Sequence, residues 1–227
     1  GDHRDLHLSL RRQRQMCIRD SGKEVLFNGA HDGWVLDTVF SVNGDHLVTV
    51  SRDRSMKLIN VPTQRFIDNV TSITPGALKG GLNSVDRHPT KDELLCGGAD
   101  GVPKVYKMFR DKARKIGDDF NLIRAYPALQ GRIFSTQFSK DGTKVVSGSS
   151  FNGVGQVKVA NYEDGKELSS VDLDGGIFSV AFHPNGNTVA AAGFGGEVHL
   201  IEAATGKIIK SFVPVTIQTA VAGAAEE

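Results

Sequence analysis

The sequence holds no long hydrophobic run. In 227 residues nothing approaches the roughly 18 consecutive apolar residues that a membrane helix needs. No charged segment followed by an apolar stretch opens the chain, so no signal peptide is read. Cysteine is scarce: Cys17 and Cys96 are too few for a disulfide framework or a metal cluster. Cys96 sits in an apolar run, where an inert buried thiol is expected. Charge of either sign is also lacking in excess. At a formal net charge of +1, nothing global draws the chain to nucleic acid or to an acidic membrane surface. What remains, 39% hydrophobic and 23% charged residues with 7 prolines, is the composition of a globular domain.

Residues 1–20 share no pattern with the rest. Arg4, Arg11, Arg12, Arg14 and Arg19 cluster there without turn chemistry or a structural period. In order, frame and composition the segment reads as a translated sequencing-library adapter, not native sequence, with a basic nucleic-acid arm as the alternative. The expectation is a gene fragment that begins near Ser21, which leaves the compartment open.

From there the chain repeats itself. Residues 33–53, 80–100, 131–150 and 175–194 superpose on one plan. Gly33, Gly80, Gly131 or Gly175 starts an alternating strand, a turn follows, and a strand of small and β-branched residues comes next. The four glycines lie 47, 51 and 44 residues apart. Third strands are predicted over 56–60, 103–107, 156–160 and 197–201. Fourth strands are predicted over 64–68, 122–126, 166–171 and 207–212. A leading strand at 23–27 would belong to a preceding unit. Helical periodicity is absent outside the insertion at 107–121. Four antiparallel strands in each unit of 40 to 50 residues predict an all-β fold, a β-propeller of four blades spanning about 30–70, 78–127, 129–172 and 174–212. A tail at 213–227 has small residues and no strand pattern.

Over residues 22–212 these units resemble WD repeats. Ala30-His31 stands where that family has Gly-His, and Asp53 and Asp100 stand where it has its turn aspartate. The resemblance implies structural roles for His31, Asp53 and Asp100 in a buried hydrogen-bond network. The family's Trp-Asp is replaced by Ile59-Asn60, Tyr106-Lys107, Ala160-Asn161 and Ile201-Glu202, so the network is complete in no blade. Residues 69–108 and 116–150 further resemble the WD-repeat regions of bacterial proteins that carry a planctomycete-type c-type cytochrome domain. The WD-repeat resemblance implies four blades of a larger ring of about seven, and the second resemblance implies a linked haem domain elsewhere and a periplasmic or exported location. No C-x-x-C-H occurs here, so no cofactor is expected in this segment.

Candidate binding residues fall on the loops that precede first strands or join second to third strands, which share one rim. They are Trp34, Arg52, Arg132, Phe151 and Phe194, of residue types that suit interface anchors. Packing of long side chains over a blade edge is the plainer reading. The basic insertion 107–119 reads as a solvated loop. His88-Pro89 and His183-Pro184 occupy one turn position in two blades, which favours a backbone role. No histidine pair has metal-ligand spacing, Asp172-Leu-Asp174-Gly175 only echoes a calcium loop, and no G-x-S-x-G is present, so neither a metal site nor catalytic residues are expected. The function expected is a non-catalytic protein-interaction scaffold that binds other proteins or a linked domain, with no nucleic-acid partner and no membrane insertion. The alternative is an enzyme or small-ligand binder working through the central channel. It would require acids, bases or metal ligands on the channel-facing strand around Val39, Ser84, Thr136 and Val180.

Overall fold

The structure is a computed structural model that describes residues 15–18, 24–71, 80–113 and 119–215. All its regular elements are β-strands. Strands β1 (Gln15–Ile18) and β2 (Glu24–Asn28) form a two-stranded antiparallel ladder. The expected leading strand is thus present, and its partner is a segment predicted to be foreign.

Four antiparallel sheets follow, each a meander in chain order. Blade 1 comprises β3 (Val35–Phe40), β4 (His46–Ser51), β5 (Met56–Asn60) and β6 (Arg65–Asn69). Blade 2 comprises β7 (Leu82–Arg87), β8 (Glu93–Gly98), β9 (Lys104–Lys107) and β10 (Leu122–Ala125). Blade 3 comprises β11 (Arg132–Phe138), β12 (Lys144–Phe151), β13 (Val154–Asn161) and β14 (Glu167–Asp174). Blade 4 comprises β15 (Ile177–Phe182), β16 (Thr188–Gly193), β17 (Val198–Glu202) and β18 (Ile208–Phe212). These are β-propeller blades, and no helix occurs among the described residues. Part of the basic insertion, 114–118, and the tail beyond 215 lie outside the described residues.

The turns follow from short polar side chains that hold the backbone. At the eighth position after each starting glycine stands Ser41, His88, Ser139 or His183. Ser41 and Ser139 hydroxyls accept the N–H of His46 and Lys144 at 3.0 and 2.9 Å. His88 and His183 use Nδ1 to accept from Thr90 and Asn185 at 3.3 and 3.2 Å. The two His-Pro pairs therefore serve the turn. Gly142 closes the blade 3 hairpin with φ +72°, and a Cβ there would fall 2.2 Å from the His88 ring, so only glycine fits.

A feature of register recurs in every blade. The pairing of first with second strand slips by one residue, leaving Leu36, Asn83, Phe134 and Phe178 unpaired. Such bulges increase local twist and re-aim a side chain. Their sequence trace is two adjacent non-alternating residues, as in Ile133-Phe134 and Ile177-Phe178.

First strands stand in a row, β3 against β7, β7 against β11 and β11 against β15. The core lies between blades. Val48, Val50, Met56 and Leu58 of blade 1 pack with Leu82 and Val85 of blade 2, and Val146, Val157 and Val159 of blade 3 with Ile177 and Val180 of blade 4. Each such fully buried aliphatic side chain contributes about 1.5–3 kcal/mol. Close approach requires small residues on the receiving sheet: a Cβ on Gly148 would lie 2.7 Å from Val180 Cγ1 and 2.8 Å from Ile177 Cγ2.

Candidate functional site

The first strands also carry side chains that stitch neighbouring blades. Asp37 accepts from Val85 N at 2.9 Å, the Ser84 hydroxyl from Thr136 N at 3.1 Å, and the Ser135 hydroxyl from Val180 N at 3.2 Å. Two positions along each strand, Asp86 accepts from Phe138 N at 2.7 Å and Gln137 from Phe182 N at 2.6 Å. The innermost strand therefore does carry acids, Asp37 and Asp86, where sequence reading singled out only Val39, Ser84, Thr136 and Val180. Both are committed to backbone N–H groups. Burial raises the Asp86 carboxyl above its ordinary value, partly offset by the N–H groups of Phe138 and Arg87, with the nearby Asp37 charge adding to the rise. The signal for these residues was legible: a polar group at the fourth place after each glycine and, in blades 2 and 3, another at the sixth.

The expected structural network forms in blade 1. His31 is buried, with Nδ1 2.8 Å from Asp53 Oδ2 and Nε2 2.7 Å from Thr49 Oγ1. Asp53 also accepts from Asp32 N at 3.0 Å, Ser55 N at 2.9 Å and the Ser55 hydroxyl at 2.6 Å. Burial pushes the Asp53 carboxyl up, but the hydrogen bonds from His31 and Ser55 outweigh it and hold it far below the carboxylate range. Ile59 fills the place of the family's tryptophan and is wholly buried. In blade 2, Asp100 accepts from Val102 N at 3.1 Å and pairs with Lys104. Blades 3 and 4 have buried Leu129 and Leu173 where blade 1 has His31.

Cys96 is buried and its thiol pushed up to about 12 by desolvation, which leaves it protonated and unreactive. Among the described residues, no group of three His, Cys, Asp or Glu side chains could hold a metal ion. No helix among them is long and apolar enough to cross a membrane.

All five expected binding residues lie on the rim formed by the starts of first strands and the hairpins between second and third strands. Trp34 is 59% exposed, and the Arg52 guanidinium carbon sits 5.7 Å from its ring centroid. The Arg52 N–H donates to Trp34 O at 2.9 Å, which locks this pair. Arg132 is exposed, Phe151 and Phe194 are 52% and 83% exposed, and these three stand on blades 3 and 4. The structure therefore joins Trp34 with Arg52 and places the others farther along the same rim. Sequence reading missed Phe134 and Phe178, whose rings meet edge to face at 4.9 Å on adjacent blades, with Phe178 exposed. Both stand at the bulge near the start of their first strands.

Comparison with known proteins agrees with this architecture. Residues 22–60 and 165–202 match the family described as WD domain, G-beta repeat. The chain is similar to eukaryotic translation initiation factor 3 subunit I of Mycosarcoma maydis, 28% identical over 44% of this chain and 32% of that protein. It spans about a third of the length of that relative. Two segments of the WD type thus lie within a chain whose four four-stranded sheets are β-propeller blades.

Proposed function

We propose that the chain is a non-catalytic protein-interaction scaffold that binds partner proteins through the rim carrying Trp34, Arg52, Arg132, Phe151 and Phe194. The observation that supports this reading most is the exposed Trp34–Arg52 pair on a rigid hairpin, continued by exposed phenylalanines on blades 3 and 4. Aromatic and arginine side chains held in place lose little entropy on binding, which suits them as anchors. The acids of the innermost strand are engaged in holding the blades together, which speaks against a channel chemistry built on them. The similar protein of Mycosarcoma maydis is by its name a subunit of a larger factor, which fits a role in assembly. A linked c-type cytochrome domain is one candidate partner, and its support is the sequence of residues 69–108 and 116–150.

Affinity capture with quantitative mass spectrometry tests the reading. Proteins retained by the wild-type chain are expected to be lost by Trp34→Ala/Arg52→Ala and by Phe151→Ala/Phe194→Ala variants whose melting is unchanged. Retention of the same set by both variants would refute the rim as the binding surface.

A further inference from the structure

Blade 2 joins its third and fourth strands by the long connection 108–121, where blades 1, 3 and 4 use the short turns 61–64, 162–166 and 203–207. Both described ends of that connection fold back onto blade 1. Phe109 meets His46 edge to face at 5.0 Å, Arg110 pairs with Asp68, and Asn121 Nδ2 donates to Val70 O at 2.9 Å. Between the connection and the outer strands of blade 1 lies a cleft of about 260 Å³. It sits at a junction of two consecutive blades, and none of its lining residues is one of the five rim residues of the scaffold reading.

The lining is apolar with one polar exception deep inside. Leu58, Val70 and Met108 are buried, and half-exposed Ile67 and Phe109 continue the apolar wall. The charges of Asp68 and Arg110 are paired with each other. Asn121 lines the same cleft and is only 6% exposed, yet its Oδ1 has no hydrogen-bond partner in the protein. The bond from Nδ2 to a carbonyl fixes which end of this amide is which, because an oxygen in that place would face another oxygen. The cleft therefore presents a fixed, unpaired acceptor among apolar groups. Such an acceptor selects: a ligand that brings a donor gains a bond, and one without a donor leaves the oxygen desolvated and unpaired.

We propose that this cleft is a binding site for a neutral, flat, apolar molecule with one N–H or O–H donor, the donor meeting Asn121 Oδ1 and the ring lying against Met108 and Phe109. A thioether and an aromatic ring are both favourable neighbours for an aromatic ligand. Charge is selected against, because an ion would leave water for an apolar wall whose own charges are already paired. The volume sets the size. Benzene fills an apolar cavity of about 150 Å³, so the larger cleft suits a bicyclic ring of the indole kind.

Methyl NMR of the full chain with isotope-labelled methionine tests the proposal, with indole as the probe and N-methylindole, which lacks the N–H, as its control. Indole is expected to shift the Met108 methyl resonance saturably, and N-methylindole to bind at least about tenfold more weakly. In Asn121→Leu, of similar volume but without the acceptor, the two compounds are expected to bind equally. Ile67→Trp, at a half-exposed position of the wall, is expected to abolish the shift by filling the cleft. If Asn121→Leu fails to fold, the ratio of the two compounds on the wild-type chain and the Ile67→Trp result still decide. No saturable shift up to the solubility limit of indole overturns the proposal, as does a shift that survives Ile67→Trp, since the indole then sits elsewhere. Equal binding of both compounds by the wild-type chain overturns the part assigned to Asn121.

Discussion

Blades 1 and 3 hold the same backbone group by different chemistry. In blade 1 the N–H of Asp32, just before the starting glycine, donates to the Asp53 carboxylate, which His31 and Ser55 also bind. In blade 3 the N–H of Gln130, at the same place, donates to Gln156 Oε1 at 3.0 Å, and Gln156 Nε2 donates to Asp172 at 2.8 Å. Leu129 replaces His31, and Phe151 replaces Asp53. The loop before a first strand must be tied down because its N–H is otherwise left without a partner. Any acceptor of the right reach suffices. The buried charge network is one solution, and a neutral amide from the third strand with an apolar neighbour is another.

Four measurements break or sharpen that comparison. The largest effect is expected for Asp53→Ala, which strips partners from buried His31, from Ser55 and from the Asp32 N–H together, and should cost about 3 kcal/mol in urea unfolding. Filling the floor of blade 3 with Gly148→Val should cost somewhat less, about 2 kcal/mol, because the added methyls meet Val180 and Ile177 and force them apart. Gln156→Ala, the blade 3 counterpart of the first change, removes one neutral acceptor and should cost about 1 kcal/mol; an equal loss at Asp53 and Gln156 would erase the distinction drawn here. Arg54 holds φ +74° in a hairpin where blades 2 and 4 have Gly101 and Gly196 at +71° and +74°. Arg54→Gly should therefore leave stability unchanged or raise it by up to about 0.5 kcal/mol, read as a small upward shift in melting temperature.

Acid acts on both blades. A carboxyl held below its unfolded value contributes stability that is present above about pH 4 and lost as pH falls through the folded value. Asp53 in blade 1 is one such group, and Asp141 in blade 3, held at about 2 chiefly by the Ser139 hydroxyl, is another. Asp86 acts with the opposite sign, since its raised value favours the protonated form in the folded state. Unfolding midpoints measured from pH 6 down to pH 3 should fall for the wild-type chain and fall less steeply for Asp53→Asn.

Much of this was legible in the residues. The spacing of Gly33, Gly80, Gly131 and Gly175, the turn pairs and the alternating strands specify four-stranded units because a two-residue period and a tight turn are local properties of the backbone. β5 (Met56–Asn60) was read to the residue. The rim position of Trp34 followed from counting one place past its glycine, and that of Arg52 from the loop that joins second to third strands. What local pattern could not decide was register. A one-residue bulge falls at Phe134 and at Phe178, and only the paired strand shows where the slip lies. Nor could it decide which polar groups are engaged. Asp37 and Asp86 were passed over in the sequence and become clamps only when the next blade presents its N–H. Sequence alone determined the repeat and its hairpins, since turn chemistry and side-chain alternation act over a few residues. Tertiary structure alone decided the interblade stitch and the substitution of Gln156 for the His31–Asp53 network, since each depends on residues some 25 to 50 positions apart being brought within hydrogen-bonding reach.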